Sequence, residues 1–159
     1  MIWGAIGLNH LIGPIVFRNI GPGRGNGVTA QRYINQVLRP VVLPYIHQHN
    51  HLVFQHDNAR AHSARETANF LQQHNNRVLP WPALSLDMNP IEHFWDHIQR
   101  ELNNMQPRPD TAPQLEHSIR QVWRNVHQAV VNRLIHSMPA RCQTVVDAHG
   151  GHTRYWCCW

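Results

Sequence analysis

Apolar and polar residues alternate in blocks along the chain, and the blocks predict its elements. Met1 to Leu8 and Leu11 to Ile20 are apolar and rich in Ile and Val, and Asn9-His10 separates them, which predicts a β-hairpin. Gly21-Pro22-Gly23-Arg24-Gly25-Asn26-Gly27 follows as a connector; Asn26 and Val28 stand where a dinucleotide-type G-x-G-x-x-G loop needs its last glycine. Tyr33, Ile34, Val37, Leu38 and Val41 fall at helical spacing, with Pro40 and Pro44 expected to kink or end that helix. Leu52 to Gln55 predicts a short strand that delivers Asp57, and Ser63 with Glu66 has capping-box spacing for a helix running to about Gln73. Arg77 to Leu79 predicts a second short strand, closed by Pro80-Trp81-Pro82.

Asn89, Pro90 and Glu92 supply an N-cap, a proline at the first helical position and an acid in the first turn. The helix they start carries Ile91, Phe94, Trp95, Ile98 and Leu102 as its buried stripe. A further helix is expected after Asp110-Thr111-Ala112-Pro113, with Leu115, Ile119, Val122, Trp123, Val126 and Val130 on one side. A last one spans about Met138 to Ala148 and stops at Gly150-Gly151. Hairpin, helix, strand, helix, strand, helices is an α/β order with a helical tail, and no internal repeat interrupts it.

A length of 159 residues fits one domain with a sizeable core. Charged residues make up only 14%, and the polar balance comes from His, Asn and Gln. The net charge is +5, and all 14 basic residues are Arg. Arg forks match phosphate geometry, so the excess points towards polyanions, although it also suits a solvated surface. His47, His49 and His51 would share a face if extended and could then gather a metal; the polar residues between them favour a solvated loop. Cys142, Cys157 and Cys158 form neither a disulfide framework nor a zinc spacing. No apolar run reaches the roughly 18 residues of a membrane span, which predicts a soluble intracellular protein without a membrane partner.

Nine acids leave few candidates for carboxylate chemistry. Asp57 is expected at the carboxyl end of a strand, where open α/β sheets bind ligands. Glu92 points about 100° from Ile91, at the edge of the apolar stripe, from where it can reach a sheet edge. Two such acids suit Mg²⁺, a hard cation that cancels their repulsion. Each also has a purely structural reading: Glu92 completing a capping box with Asn89, and Asp57 turning the strand-to-helix loop.

Val53-Phe54-Gln55-His56-Asp57-Asn58-Ala59-Arg60-Ala61-His62 and the segment from Trp81-Pro82 through Asp87-Met88-Asn89-Pro90-Ile91-Glu92 to Asp96 resemble the second and third acidic motifs of Tc1-like transposases of the Tc1/mariner superfamily. Between Asp57 and Glu92 lie 34 residues, the spacing by which that group is named. Trp3-Gly4, Tyr33 before Leu38, and Gly150 to Tyr155 extend the resemblance over essentially the whole chain, in the same order. Leu86 and Met88 depart from it, standing where the family usually has Pro and Leu.

The resemblance implies an RNase H-like α/β fold, a mixed sheet with flanking helices, over residues 1–155, with 156–159 as an extension. It implies cutting and joining of DNA with two Mg²⁺ or Mn²⁺ ions, one activating the attacking oxygen and the other stabilising the leaving oxygen. By motif position Asp57 becomes the second Asp and Glu92 the final acid, both catalytic and metal-binding, with Asn58, His62 and Asn89 lining their site. DNA, at transposon ends and target, a homodimer and a nuclear location follow as expectations. The family's first Asp belongs upstream of the Trp3-Gly4 strand, so the sequence as it stands predicts a missing central strand, no unaided DNA cleavage and marginal stability. A remnant that binds DNA or protein without catalysis is the other reading; a His-rich metal-binding protein is a third.

Overall fold

The computed structural model describes residues 1–18, 27–83, 85, 88–151, 153 and 155, so the glycine-rich connector before Gly27, Leu86 and Asp87, and the 156–159 extension lie outside the described residues. The described chain divides into two compact units, Met1 with Phe17–Leu84 and Ile2–Val16 with Ser85–Trp159.

The hairpin forms as β1 (Ile2–Gly7) and β2 (His10–Val16), antiparallel, with Ile6 opposite Leu11 and Gly7 opposite His10. Asn9 takes the turn with a positive φ of 63°, which Asn tolerates better than a branched residue. Asn132 fixes this turn, accepting from the Asn9 backbone N–H at 2.9 Å and donating to Asn9 Oδ1 at 2.7 Å.

In the first unit, α1 (Ala30–Tyr33) begins at Thr29, whose hydroxyl accepts the Arg32 N–H. It runs on as a π-helical stretch over Ile34–Val42 and then as α2 (Leu43–Gln48). Of the two outcomes expected at the prolines, a kink or an end, the helix does not end; it changes its winding around Pro40. Pro40 has no N–H to satisfy, and the wider π turn relieves the clash its ring would make with the carbonyl one α-turn earlier. Pro44 follows two residues after the π-helical stretch, in the first turn of α2. His47 thus ends a helix instead of lying in an extended run.

The strand expected over 52–55 shrinks to one parallel bridge between Phe54 and Val78. Phe54 N–H donates to Arg77 O at 2.9 Å and Leu79 N–H to Phe54 O at 2.8 Å. The expected capping box at Ser63 and Glu66 does not form: the Ser63 hydroxyl donates backwards to Ala59 O, within the short α3 (Arg60–Ser63), and α4 (Arg65–Gln73) starts from Ala64 without a side-chain cap. Tyr33, Val37, Leu38, Phe54, Phe70 and Leu71 are among the buried residues of this unit.

The second unit packs the hairpin with α5 (Pro90–Asn104), α6 (Ala112–Asn125), α7 (Gln128–His136) and α8 (Met138–Asp147). Asn89 and Pro90 start α5 as expected, and Thr111 with Gln114 forms a full capping box on α6. The single helix expected after Asp110 to Pro113 and carrying residues as far as Val130 is two, because Val126 turns extended and the His127 ring accepts the Ala129 N–H as a new cap. Leu115, expected on the apolar side, is exposed. Phe94, Ile98, Leu102, Ile119, Val122, Trp123 and Val131 form the core, with Ile2, Ile6 and Leu11 of the hairpin packed against it. Among the described residues no helix is long and apolar enough to cross a membrane.

Candidate functional site

Asp57 stands three residues beyond the Phe54 bridge, where the chain leaves its pairing and must turn. Its Oδ1 accepts the Ala59 backbone N–H at 3.0 Å, an Asx-type turn that aims the chain into α3. One helical turn later α3 returns His62, whose Nδ1 lies 2.6 Å from the same Oδ1. The turn is held by His62 N–H on Ala59 O and by buried Thr67 of α4, whose hydroxyl donates to Ala61 O at 2.6 Å. Both hydrogen bonds of the carboxylate fall on Oδ1; among the described residues Oδ2 accepts none, and the side chain keeps 39% of its surface exposed.

Aromatic rings enclose the other side of this carboxylate's partner. The His62 ring lies 4.4 Å from that of buried Tyr33 and stacks on His56 at 5.0 Å with planes 14° apart. The Tyr33 hydroxyl sits 3.5 Å from His56 Nδ1, and Phe54 packs against the His56 ring. The His62 hydrogen bond, reinforced by the Ala59 N–H, holds the Asp57 carboxyl below its ordinary value against the opposing effect of burial. Burial first, and His62 second, push His56 down to about 4, although Asp57 pulls the other way. At neutral pH the unit therefore presents an ionised Asp57 carboxylate beside a neutral His56 imidazole.

Of the residues that the sequence singles out, the structure brings His62 onto Asp57. The Asn58 amide nitrogen donates to Trp81 O at 3.1 Å and Pro82 O at 3.2 Å, tying the Asp57 loop to the Trp-Pro segment. Asn89 and Glu92 belong to the second unit. Asn89 is buried and its Oδ1 accepts the Ile91 N–H, while Glu92 follows in the first turn of α5, partly buried, its N–H donating to Asn89 O at 3.2 Å.

Motif reasoning does not single out His56 or Tyr33 as site residues. The signal for His56 is nonetheless present: in extended backbone it shares a face with Phe54, two residues earlier, so it turns inward with that ring. Among the described residues no group of three or more His, Cys, Asp and Glu gathers as a metal cage. What the donor set does offer a divalent cation is one hard oxygen, Oδ2 of an ionised, partly exposed carboxylate, accepting no hydrogen bond among the described residues, which fits a monodentate ligand of Mg²⁺ or Mn²⁺.

Residues 5–116 match the family described as DDE superfamily endonuclease. The chain is 37% identical over 103 residues to the transposable element Tcb2 transposase of Caenorhabditis briggsae, covering 65% of this chain and 37% of that protein. It is 32% identical over 158 residues to the Tcb1 transposase of the same organism, covering 98% of this chain and 54% of that protein. The chain thus spans between about a third and about a half of the length of these relatives. Among solved structures it is similar to a Mos1 transposase catalytic domain with Raltegravir and Mg, at a TM-score of 0.70 and 25% identity over 91% of this chain and 70% of that one. The fold is RNase H-like, as the motif resemblance implied.

Proposed function

Because this chain belongs to the DDE superfamily endonuclease family, we propose that it is catalytic-domain sequence of a cut-and-paste DNA transposase, with Asp57 and Glu92 as two of its metal-binding carboxylates. The observation that carries the reading is the state of Asp57: ionised, anchored through Oδ1, and with no hydrogen bond on Oδ2 among the described residues. When bound, a pair of divalent ions supplies an activated attacking oxygen and a stabilised leaving oxygen for phosphodiester chemistry. The protein's own part is to keep Asp57 deprotonated and oriented, and to present Glu92 from the first turn of α5, where a negative charge suits the helix N-terminus.

DNA is the proposed substrate, at transposon ends and target, with the nucleus as the place of action and a homodimer as the working assembly. Charge supports a polyanion: residues 17–84 carry seven Arg against two acids, and the exposed Arg60 and Arg65 flank the turn that holds Asp57. The test is Mn²⁺ binding to the purified chain, followed by electron paramagnetic resonance, together with metal-dependent cleavage by the full-length transposase. Asp57→Asn and Glu92→Gln are each expected to weaken Mn²⁺ binding and abolish cleavage. DNA binding that persists with no metal-dependent cleavage, and with Mn²⁺ binding that neither substitution changes, would replace this reading with that of a non-catalytic DNA-binding remnant.

A further inference from the structure

We propose that His62 is the positioning residue of Asp57, fixing the carboxylate so that Oδ2 alone is offered to the metal; this rests on the reading of Asp57 as a metal-binding carboxylate. An aspartate side chain turns freely about its last torsion, and a carboxylate that swings between its two oxygens is a poor ligand for a cation with strict geometry. Here two donors converge on one oxygen, the Ala59 N–H at 3.0 Å and the His62 ring at 2.6 Å. An ionised carboxylate only accepts, so His62 Nδ1 carries the hydrogen, an assignment made from the partner's chemistry.

The ring that donates is itself immobilised. Tyr33 contacts it at 4.4 Å, His56 stacks on it at 5.0 Å, and its backbone N–H is tied to Ala59 O at 2.8 Å, the residue whose own N–H shares the carboxylate oxygen. Carboxylate, turn and imidazole thus form one closed unit within six residues, Asp57 to His62. Outer partners of this kind set the affinity of the ligand they hold, and their loss typically weakens metal binding by about 10–100-fold. A histidine that merely filled space between Tyr33 and His56 would do so with its ring faces, not by placing Nδ1 against the carboxylate.

Two substitutions separate those roles. His62→Phe keeps the ring between Tyr33 and His56 and removes the donor, whereas His62→Asn removes the ring and keeps an N–H near the Nδ1 position. Mn²⁺ titration of the purified chain, with Asp57→Asn as the reference, reads the result, and long-range ¹H–¹⁵N spectra report which ring nitrogen is protonated. The expected outcome is a loss of about tenfold or more in Mn²⁺ affinity for His62→Phe, affinity within a few-fold of the parent for His62→Asn, and an Nδ1-protonated His62 in the metal-free parent. Asp57→Asn that abolishes binding while His62→Phe leaves it intact overturns the positioning role alone, as does equal loss in both His62 variants. Equal Mn²⁺ binding in Asp57→Asn and the parent, or none in either, removes the reading of Asp57 itself and the positioning role with it.

Discussion

His56 and Asp57 are chain neighbours displaced in the same direction for different reasons, and together they make the first unit acid-sensitive. Burial holds His56 neutral, with a folded value of about 4 against an ordinary 6.5. Between those two values the unfolded chain binds a proton that the folded chain refuses, so stability is complete above about pH 6.5 and falls as the pH drops towards 4. Asp57 adds its share lower down: a depressed carboxyl stabilises the fold above its ordinary value of 3.8, and that contribution disappears as the pH falls through the lower folded value. The urea midpoint, measured in chelator at about pH 7.0, 5.5 and 4.5, from above the His56 interval to within its lower part, should therefore decline steadily. His56→Phe, which keeps a ring against Phe54, should flatten the decline above pH 4.5. An equally steep decline in that variant would show that other groups dominate the acid response.

Gly4 makes the same kind of demand on an element that His56 makes on a residue, since a Cβ there would stand 2.1 Å from the Trp123 indole. Trp123 cannot step aside, being buried and meeting Phe94 edge-on at 5.0 Å. Gly4→Ala should cost ~1–3 kcal/mol as overpacking of the joint between hairpin and α6, read by urea denaturation. Thr111→Ala should cost ~1 kcal/mol by removing the side-chain half of the α6 capping box, with little change in the core. These two predictions also mark what sequence makes legible. The cap of α5, Asn89 followed by Pro90, reads directly from adjacent residues, whereas the sequence reading marks the start of α6 only as following Asp110 to Pro113 and does not pair Thr111 with Gln114. The Asp57 motif is legible for the same reason as the α5 cap, its turn and its imidazole lying within five residues of it. The Phe54 bridge reads from sequence as a longer strand because a ladder's length depends on a partner more than 20 residues away, Val78 in this case. Ser63 reads as a cap because a hydroxyl can bond forwards to cap or backwards to Ala59 O, and composition does not choose between them. Pro40 reads as a kink or an end because both rules assume an α-helical register, which the chain abandons over Ile34–Val42.

Across the whole molecule the formal charge of +5 is not evenly spread. Residues 17–84 hold seven Arg and two acids, whereas 85–159 hold seven of each and 1–16 hold none, so the entire excess belongs to the unit that carries Asp57. Not every arginine there is available to a partner. Arg32 donates to Arg18 O and lies over Phe17, and Arg39 lies over Phe70, so both serve the fold. Arg60, Arg65 and Arg77 are exposed. In the second unit Arg120 pairs with Glu116 at 3.0 Å and Arg141 is buried against Tyr155, leaving Arg100, Arg108, Arg124 and Arg133 exposed in a unit without net charge. Binding of duplex DNA through phosphates releases counterions, and each neutralised phosphate adds about 0.9 to the slope of log affinity against log salt. The chain should therefore bind a short random-sequence duplex with an affinity that falls steeply with salt. Replacing Arg60, Arg65 and Arg77 by Gln should weaken that binding and make the slope shallower by about 1 for each phosphate that no longer meets an arginine. The matching triple change at Arg100, Arg108 and Arg124 should have the smaller effect, because the neighbouring acids of that unit already offset the local field. Fluorescence anisotropy at several salt concentrations measures both quantities, and equal weakening by the two triple variants would show that the charge asymmetry plays no part in holding DNA.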